Sequence, residues 1–392
     1  MKSKEEFKKT IQTIQSSNNY KKPLGFGVCR VDRSQIDENK TLQATFPLVN
    51  WDENFGSAAV IIDAFAKLGT KIDFNASEVV LALNFKIVNK VLEYFEPFEG
   101  EEGHSNIDLF KILQGLYKEK YELCDDYKIV FIFENEKPKS VESVYLKLYA
   151  LSQNKAELRS LNLDGAFGLL QNVAWSGNYP IDLEWLRVEE IELKLRGEYP
   201  SIDFVDKFPR FLQHIIPADN TRVLDTSRVR FGAALAAGTT VMPGASYINF
   251  NAGTTGAVMV EGRISSSAVV KAGADVGGGA SILGVLSGTN GNPITIGENT
   301  LLGANSVTGI PLGSGCIIDA GLSLLEGTKI YLSQDEYNKI KEVNKDINEY
   351  KEIVKGLDIS GLNGIHFRQN SQTGQIIARR STKEVKLNSE LH

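Results

Sequence analysis

The apolar positions of this chain follow three different spacings, and each spacing marks a region. Over roughly the first half, helical and strand spacings alternate. KSKEEFKKTIQTIQ puts Phe7, Ile11 and Ile14 on one face of a helix. LGFGVCRV and YKIVFIFE read as strands, rich in β-branched and aromatic residues. SAAVIIDAFAKLG reads as a helix that ends near Gly69. SVESVYLKLYALSQ reads as another, starting near Ser140 and Glu142. These patterns predict an α/β domain over 1–221. The segment GEYPSIDFVDKFPRFLQHIIPADN, with its three prolines, leads out of it.

From 222 to 331 the helical spacing disappears and a period of six replaces it. Ile264, Val270, Val276 and Ile282 follow one another at that interval, as do Leu312, Ile318, Leu324 and Ile330. Val229, Leu235, Val241 and Tyr247 form a third series, and Ile296 and Leu302 a shorter one. Small residues often follow the aliphatic one, as in LAAGTT, VGGGAS and LGANSV. A six-residue period predicts a parallel β-helix: each hexad makes a short strand and a turn, and three hexads close one coil. A flexible Gly/Ala linker would show no hydrophobic period. The period breaks at NFNAGTTGAVMVEG and again at GVLSGTNGNP, residues 284–293, which reads as a loop leaving the coil.

The remainder, 332–392, returns to helical spacing. Ser333 and Glu336 fit a capping box. Tyr337, Ile340, Val343, Ile347, Tyr350 and Val354 then predict a long amphipathic helix. FRQNSQTGQIIARR reads as a turn between two strands, so this region is a small helix and strand extension.

Composition narrows the class. The chain has 392 residues, a net charge of -6 and 42% hydrophobic residues, as an ordinary globular protein does. No apolar run reaches the roughly 20 residues a membrane helix needs. The N-terminal segment is charged and lacks an apolar signal core, which predicts a cytoplasmic protein with no membrane partner. The acidic balance argues against a nucleic-acid partner. Cys29, Cys124 and Cys316 are widely separated and show neither disulfide nor zinc spacing, so they read as buried thiols.

The candidate chemistry lies in the coil. None of the four histidines, His104, His214, His366 and His392, falls within 222–331. A three-histidine zinc site is therefore not expected there. Any acid or base the coil supplies would be a carboxylate: Asp225, Glu261, Asp275, Glu298, Asp319 or Glu326. Glu298 reads as a solvated turn residue. Glu261 stands out, because it follows Val258, Met259 and Val260 and stands two positions before Arg263. On one strand the two side chains would share a face. Such a carboxylate can serve as base or nucleophile, or form an ion pair with Arg263.

The words NFNAG, MVEGRIS and DVGGGASI, with IGENTLLGANS, CIIDAGLSLLEGTK and FRQNS, are specific beyond the period. In them the chain resembles the longer form of the tetrahydrodipicolinate N-succinyltransferases, over roughly 228–330 and 355–375. The first half matches only in its α/β character. The resemblance implies a left-handed coil and transfer of a succinyl group from succinyl-CoA to the amine of ring-opened tetrahydrodipicolinate, toward diaminopimelate and lysine. It implies a homotrimer with active sites between subunits. Glu261 matches the catalytic glutamate, as an acyl-anhydride former or as a general base, and Arg263 matches a residue that contacts the acyl-CoA. Gly278, Ser281, Ala304, Asp319, Ala320 and Gly327 match succinyl-CoA positions, where the family carries Glu in place of Asp319. Lys355, Arg368, Gln369, Asn370 and Ser371 match the last contact segment, with Lys and Arg suited to phosphates.

Relatives hold magnesium with an aspartate just before RVR and a glutamate after TTVM. Here Ser227 and the PGAS segment stand at those places, so no metal site is expected, although Asp225 lies nearby. Two other readings remain. Acetyl transfer is disfavoured by Arg263, which an acetyl group gives nothing to pair with. A non-catalytic trimerisation module would bind no acyl-CoA.

Overall fold

A computed structural model describes all residues except 1–2, 19, 120–125, 286–290, 384, 386 and 388–392. Cys124, His392 and the middle of the 284–293 loop lie outside the described residues. The chain forms two compact units, residues 1–150 with 161–208, and residues 151–160 with 209–392. Contacts divide the chain at 208/209, ahead of the expected start of the coil at 222. The segment expected to stand apart as 332–392 joins the unit that holds the coil.

The first unit has α1 (Lys4–Gln15), β1 (Gly25–Arg33), β2 (Thr41–Trp51), α2 (Phe55–Lys67), β3 (Glu78–Ala82), α3 (Phe85–Phe95), α4 (Ser105–Glu119) and β4 (Tyr127–Ile132). The strands form an antiparallel sheet in the order β2-β1-β4-β3. Phe26, Val28, Ile129 and Phe131 from its central strands pack with Val60 and Ile61 of α2 and Val88 and Val91 of α3. Helix α5 (Val141–Ser152) and the single turn α6 (Ala166–Leu169) lead to a second sheet of β5 (Val173–Ser176), β6 (Tyr179–Asp182) and β7 (Phe204–Asp206). Helix α7 (Leu183–Arg196) follows β6, with Asp182 accepting the Glu184 N–H as its N-cap. Cys29 is fully buried, and burial pushes its thiol well up.

The second unit begins with the short helix α8 (Phe211–His214) and continues as a parallel β-helix of two-residue strands. One ladder stacks β8 (Arg222–Val223), β9 (Thr240–Val241), β12 (Met259–Val260), β15 (Asp275–Val276), β18 (Leu301–Leu302) and β20 (Ile317–Ile318). The next stacks β10 (Tyr247–Ile248), β13 (Arg263–Ile264), β16 (Ser281–Ile282), β19 (Val307–Thr308) and β21 (Ser323–Leu324). The third stacks β11 (Gly253–Thr254), β14 (Val269–Val270) and β17 (Thr295–Ile296). The second residue of nearly every strand points inward. Val241, Val260, Val276, Ile264, Ile282, Val270, Ile296 and Ile318 are completely buried, each stabilising the coil by about 1.5–3 kcal/mol.

The expected series therefore holds, with one slip. Ile248, not Tyr247, is in register with Ile264 and is completely buried. The turn at PGAS takes one extra residue and rotates Tyr247 outward, opposite Arg263. The interval also shortens, because β12 and β13 are separated only by Glu261 and Gly262. The two charged residues thus do not lie on one strand as expected. They flank a corner and belong to different ladders.

Residues 151–160 belong to this unit because Arg159 laces its rungs together. The Arg159 N–H donates to Asn251 Oδ1 at 2.8 Å. Its guanidinium donates to Ser267 O at 2.6 Å, Thr295 Oγ1 at 3.0 Å and Ile294 O.

The long helix expected to Val354 is shorter. Helix α9 spans Gln334–Val343 and ends at Asn344. The Asn344 amide donates to Ile340 O and Asn363 O, and its Oδ1 accepts the Asn363 N–H at 2.7 Å. That side chain turns the chain out of the helix. The apolar spacing persists because Tyr350 returns against Tyr337, rings 5.4 Å apart. Val354 instead lies on β23 (Ile353–Lys355), antiparallel to β22 (Lys329–Tyr331). The capping box is half formed: Ser333 Oγ accepts the Glu336 N–H, while Glu336 accepts from Arg380 N–H. Strands β24 (Ile365–Gln369) and β25 (Ile376–Arg380) make the expected hairpin, and β24 adds in parallel to β20. Cys316 is buried beneath it, its thiol pushed up to about 11 by burial. Among the described residues no helix is long and apolar enough to cross a membrane.

Two outcomes test these contacts. Arg159→Ala strips hydrogen bonds from the coil and is expected to lower unfolding free energy by about 2–4 kcal/mol, read from denaturant midpoints. His214 stacks on Phe231 with ring centroids 4.6 Å apart, and burial holds its pKa down to about 3. Between pH about 6.5 and 3 the unfolded chain takes up a proton that the folded ring refuses. Stability from this group therefore falls with pH across that window, by up to about 1.4 kcal/mol per pH unit. His214→Phe is expected to flatten that slope in a melting series.

Candidate active site

Several of the residues expected to bind and react gather along one edge of the coil, although Glu261 and Ala320 are 59 positions apart in sequence. Glu261 follows β12, Gly278 follows β15, Ala304 follows β18, and Asp319 with Ala320 follows β20. Backbone bonds stack these corners: Gly279 N–H to Glu261 O, Asn305 N–H to Gly278 O, and Gly321 N–H to Ala304 O at 2.8 Å. Parallel rungs rise by about 4.8 Å, so the column from Glu261 to Ala320 runs about 14 Å. Ala320 is exposed, and Gly278 and Ala304 offer no bulky side chain, which leaves a shallow track along the edge.

Glu261 is half-buried at the start of this track. Its Oε2 lies 3.7 Å from where a Cβ on Gly278 would be, so the carboxylate faces the Gly278 corner. The corner itself depends on Gly262, where a Cβ would meet Ala280 O at 2.3 Å and Gly277 O at 2.9 Å. Arg263 stands opposite Ser281 on the adjacent strand. Its Nε and Nη2 donate to Ser281 Oγ at 3.0 and 2.7 Å, while Ser281 is itself buried. The ion pair between Glu261 and Arg263, one of the open readings, is absent among the described residues.

At the far end, Asp319 is shared. Its Oδ1 is 2.7 Å from His366 Nε2, and Arg368 Nε donates to its Oδ2 at 3.2 Å. His366 lies beyond the coil in sequence, outside the carboxylates expected to supply acid or base there. Strand β24 nevertheless carries it onto the coil, in register with Ile317. The signal was present in IHF, where Ile365 and Phe367 alternate inward and leave the histidine outward. The coil's edge thus holds an imidazole as well as carboxylates.

The other expected contact residues are placed differently. Gly327 lies between β21 and β22, away from that column, and Lys355 lies across from Lys329, exposed. Asn370 builds the hairpin turn, accepting the Gln372 and Thr373 N–H groups on its side chain. Gln369 donates across the same turn to Gly374 O, and Ser371 is exposed at its tip. Among the remaining carboxylates, Asp225 accepts from Ser227 N–H and Oγ and from Arg228 Nε. Those hydrogen bonds, led by the Ser227 side chain, hold its pKa at about 2. It is a cap rather than a free acid. Among the described residues no group of three or more His, Cys, Asp or Glu is arranged to hold a metal ion.

The profile for the tetrahydrodipicolinate N-succinyltransferase N-terminal region matches residues 5–168, and that for the middle region matches 170–210. The hexapeptide repeat of succinyl-transferase matches 293–326. The 2,3,4,5-tetrahydropyridine-2,6-dicarboxylate N-succinyltransferase of a Nitratiruptor species is 61% identical over 99% of both chains. The chain belongs to the tetrahydrodipicolinate N-succinyltransferase family. The enzyme of that name from Campylobacter jejuni is 58% identical over 99% of both chains. A crystal structure of a C. jejuni protein, proposed as a 2,3,4,5-tetrahydropyridine-2-carboxylate N-succinyltransferase, superposes with a TM-score of 0.93. That pair is 58% identical and covers 98% of this chain and 99% of the other. The α/β half, matched in sequence only by its general character, is thus as much a family feature as the coil.

Two glycines at corners of the coil should respond differently to one methyl group. Gly262→Ala drives a Cβ into backbone oxygen and is expected to yield misfolded or strongly destabilised protein. Gly278→Ala meets only the Glu261 carboxylate at ordinary contact distance and should melt within a few degrees of wild type. Thermal unfolding of the two purified variants checks both.

Proposed function

We propose that this succinyltransferase binds succinyl-CoA along the edge of the coil and uses Glu261 as general base on the amine of ring-opened tetrahydrodipicolinate. The observation that carries this is the position of Glu261: at a corner, facing Gly278, free of any ion pair among the described residues, and two positions before Arg263, which Ser281 holds. As the amine nitrogen attacks the thioester carbonyl, the Glu261 carboxylate takes its proton. The C–N bond forms, the C–S bond breaks, and CoA leaves as thiolate. The products are N-succinyl-2-amino-6-oxopimelate and CoA, on the route to diaminopimelate and lysine.

Ser281 holds two nitrogens of Arg263, which leaves Nη1 to pair with the terminal carboxylate of the succinyl group. An acetyl group offers no such partner, so the donor is succinyl-CoA. The open track past Gly278, Ala304 and Ala320 suits an extended pantetheine arm that hydrogen-bonds to backbone amides. Arg368, with Asp319 fixing its position, and more distantly Lys355, would meet CoA phosphates. Gln369, Asn370 and Ser371 shape the turn beside them, and Gly327 lies toward Lys355. A track this shallow does not enclose a ligand by itself. That supports a homotrimer of left-handed coils with the amine site completed between subunits, working in the cytoplasm. No metal takes part in this reading.

Thiol release from succinyl-CoA, with and without tetrahydrodipicolinate, tests it. Wild type should release CoA only with the amine present. Glu261→Gln should lower kcat by about 10²–10⁴-fold with little change in succinyl-CoA affinity. Near-wild-type turnover by that variant would remove Glu261 from the chemistry. Equal rates with acetyl-CoA would remove the role given to Arg263.

A further inference from the structure

Helix α7 has apolar residues on opposite faces. Its inner face packs Leu183, Trp185, Leu186 and Leu193 against Ala174 and Ile181. Its outer face presents Val188, Ile191 and Leu195 at 70%, 76% and 85% exposure. A helix that is apolar on both sides is normally covered on both. We propose that the outer face of α7 is a self-association surface, on which a second copy of this chain lays its own α7 side by side and in the same direction. The proposal rests on the homo-oligomer reading above and adds where, and in which sense, the copies meet.

The spacing and the charges choose the partner. Val188, Ile191 and Leu195 fall three and four apart, the repeat of a seam between packed parallel or antiparallel helices. Arg187 and Lys194 flank that seam on one side, and Glu192 on the other. In a parallel pair, the residue before the first seam position faces the partner residue five positions on. Arg187 then meets the partner's Glu192, and the same pair recurs at each contact around the symmetry axis. In an antiparallel pair the same flank meets itself, and Arg187 would face lysine or arginine. Within one chain Glu190 pairs with Lys194 and Glu192 with Arg196, whereas Arg187 has no ion pair among the described residues. Arg187 is therefore the cation that the seam leaves for a partner. Rotation about an axis running along the helices produces this parallel arrangement, as closed cyclic assemblies do. The seam is only about 10 Å long, so it is one element of a larger contact rather than a sufficient one.

Full-length protein carrying Val188→Cys or Leu195→Cys tests this, with wild type as the control for its native thiols. Under mild oxidation each variant alone should give a disulfide-linked dimer on a non-reducing gel, because like positions meet. Arg187→Glu should raise the dissociation midpoint in sedimentation about tenfold, and adding Glu192→Arg should restore much of it. A linked dimer formed only when the two cysteine variants are mixed would mean antiparallel pairing and would overturn the proposal. An assembled wild type with no linkage in either variant and no effect of the charge changes would overturn it too, while leaving the homo-oligomer reading intact. A wild type that is monomeric at every concentration would remove both.

Discussion

The coil exists because its backbone can turn against the backbone of the next rung with no side chain between. At Gly262 the space for a Cβ is already taken by the carbonyl oxygen of Ala280. Gly277 is in the same position against Leu302 O, 2.6 Å from where its Cβ would be. These close approaches let the corners follow the spacing that the backbone hydrogen bonds between rungs impose, and so keep successive corners in register. The same registry aligns Glu261, Gly278, Ala304 and Asp319 into a column. Structural tightness and the open track on the coil's edge thus have one cause: side chains too small to separate the rungs are also too small to cover the corner.

Polar side chains then work on fixed geometry. Ser281 is buried and in register with Arg263, so it holds a guanidinium that would otherwise sweep through solvent. Asp319 is pinned from two sides by His366 and Arg368, both delivered by one strand. That strand, β24, also covers the ladder edge that β20 would leave unpaired, where exposed backbone groups invite aggregation. The C-terminal hairpin therefore closes the solenoid and completes the edge that carries the track in one step. Arg159 does a related task on another side of the coil, where its guanidinium satisfies carbonyl oxygens of successive rungs.

The parts of this protein legible in the sequence are those governed by short-range hydrophobic repetition. The period of six located the coil and most of its inward aliphatic side chains, because burial of one residue per face repeats locally, but it passed over Val260 and Ile248, where the turns between strands change length. The helices and strands of the first unit were readable for the same reason, and the words around Glu261 carried the family. Tertiary structure decided what depends on rungs and segments far apart in sequence. It made Glu261 and Arg263 neighbours across a corner rather than on one strand, since the corner follows from how closely Gly262 approaches Ala280. It chose Ile248 over Tyr247, since one extra turn residue is invisible to a period but not to register. It ended α9 at Asn344, whose amide found Asn363 across the fold, and it brought His366 to Asp319 through strand pairing. Periodicity says which side chains must leave water; only the pairing of distant backbones decides which ones meet.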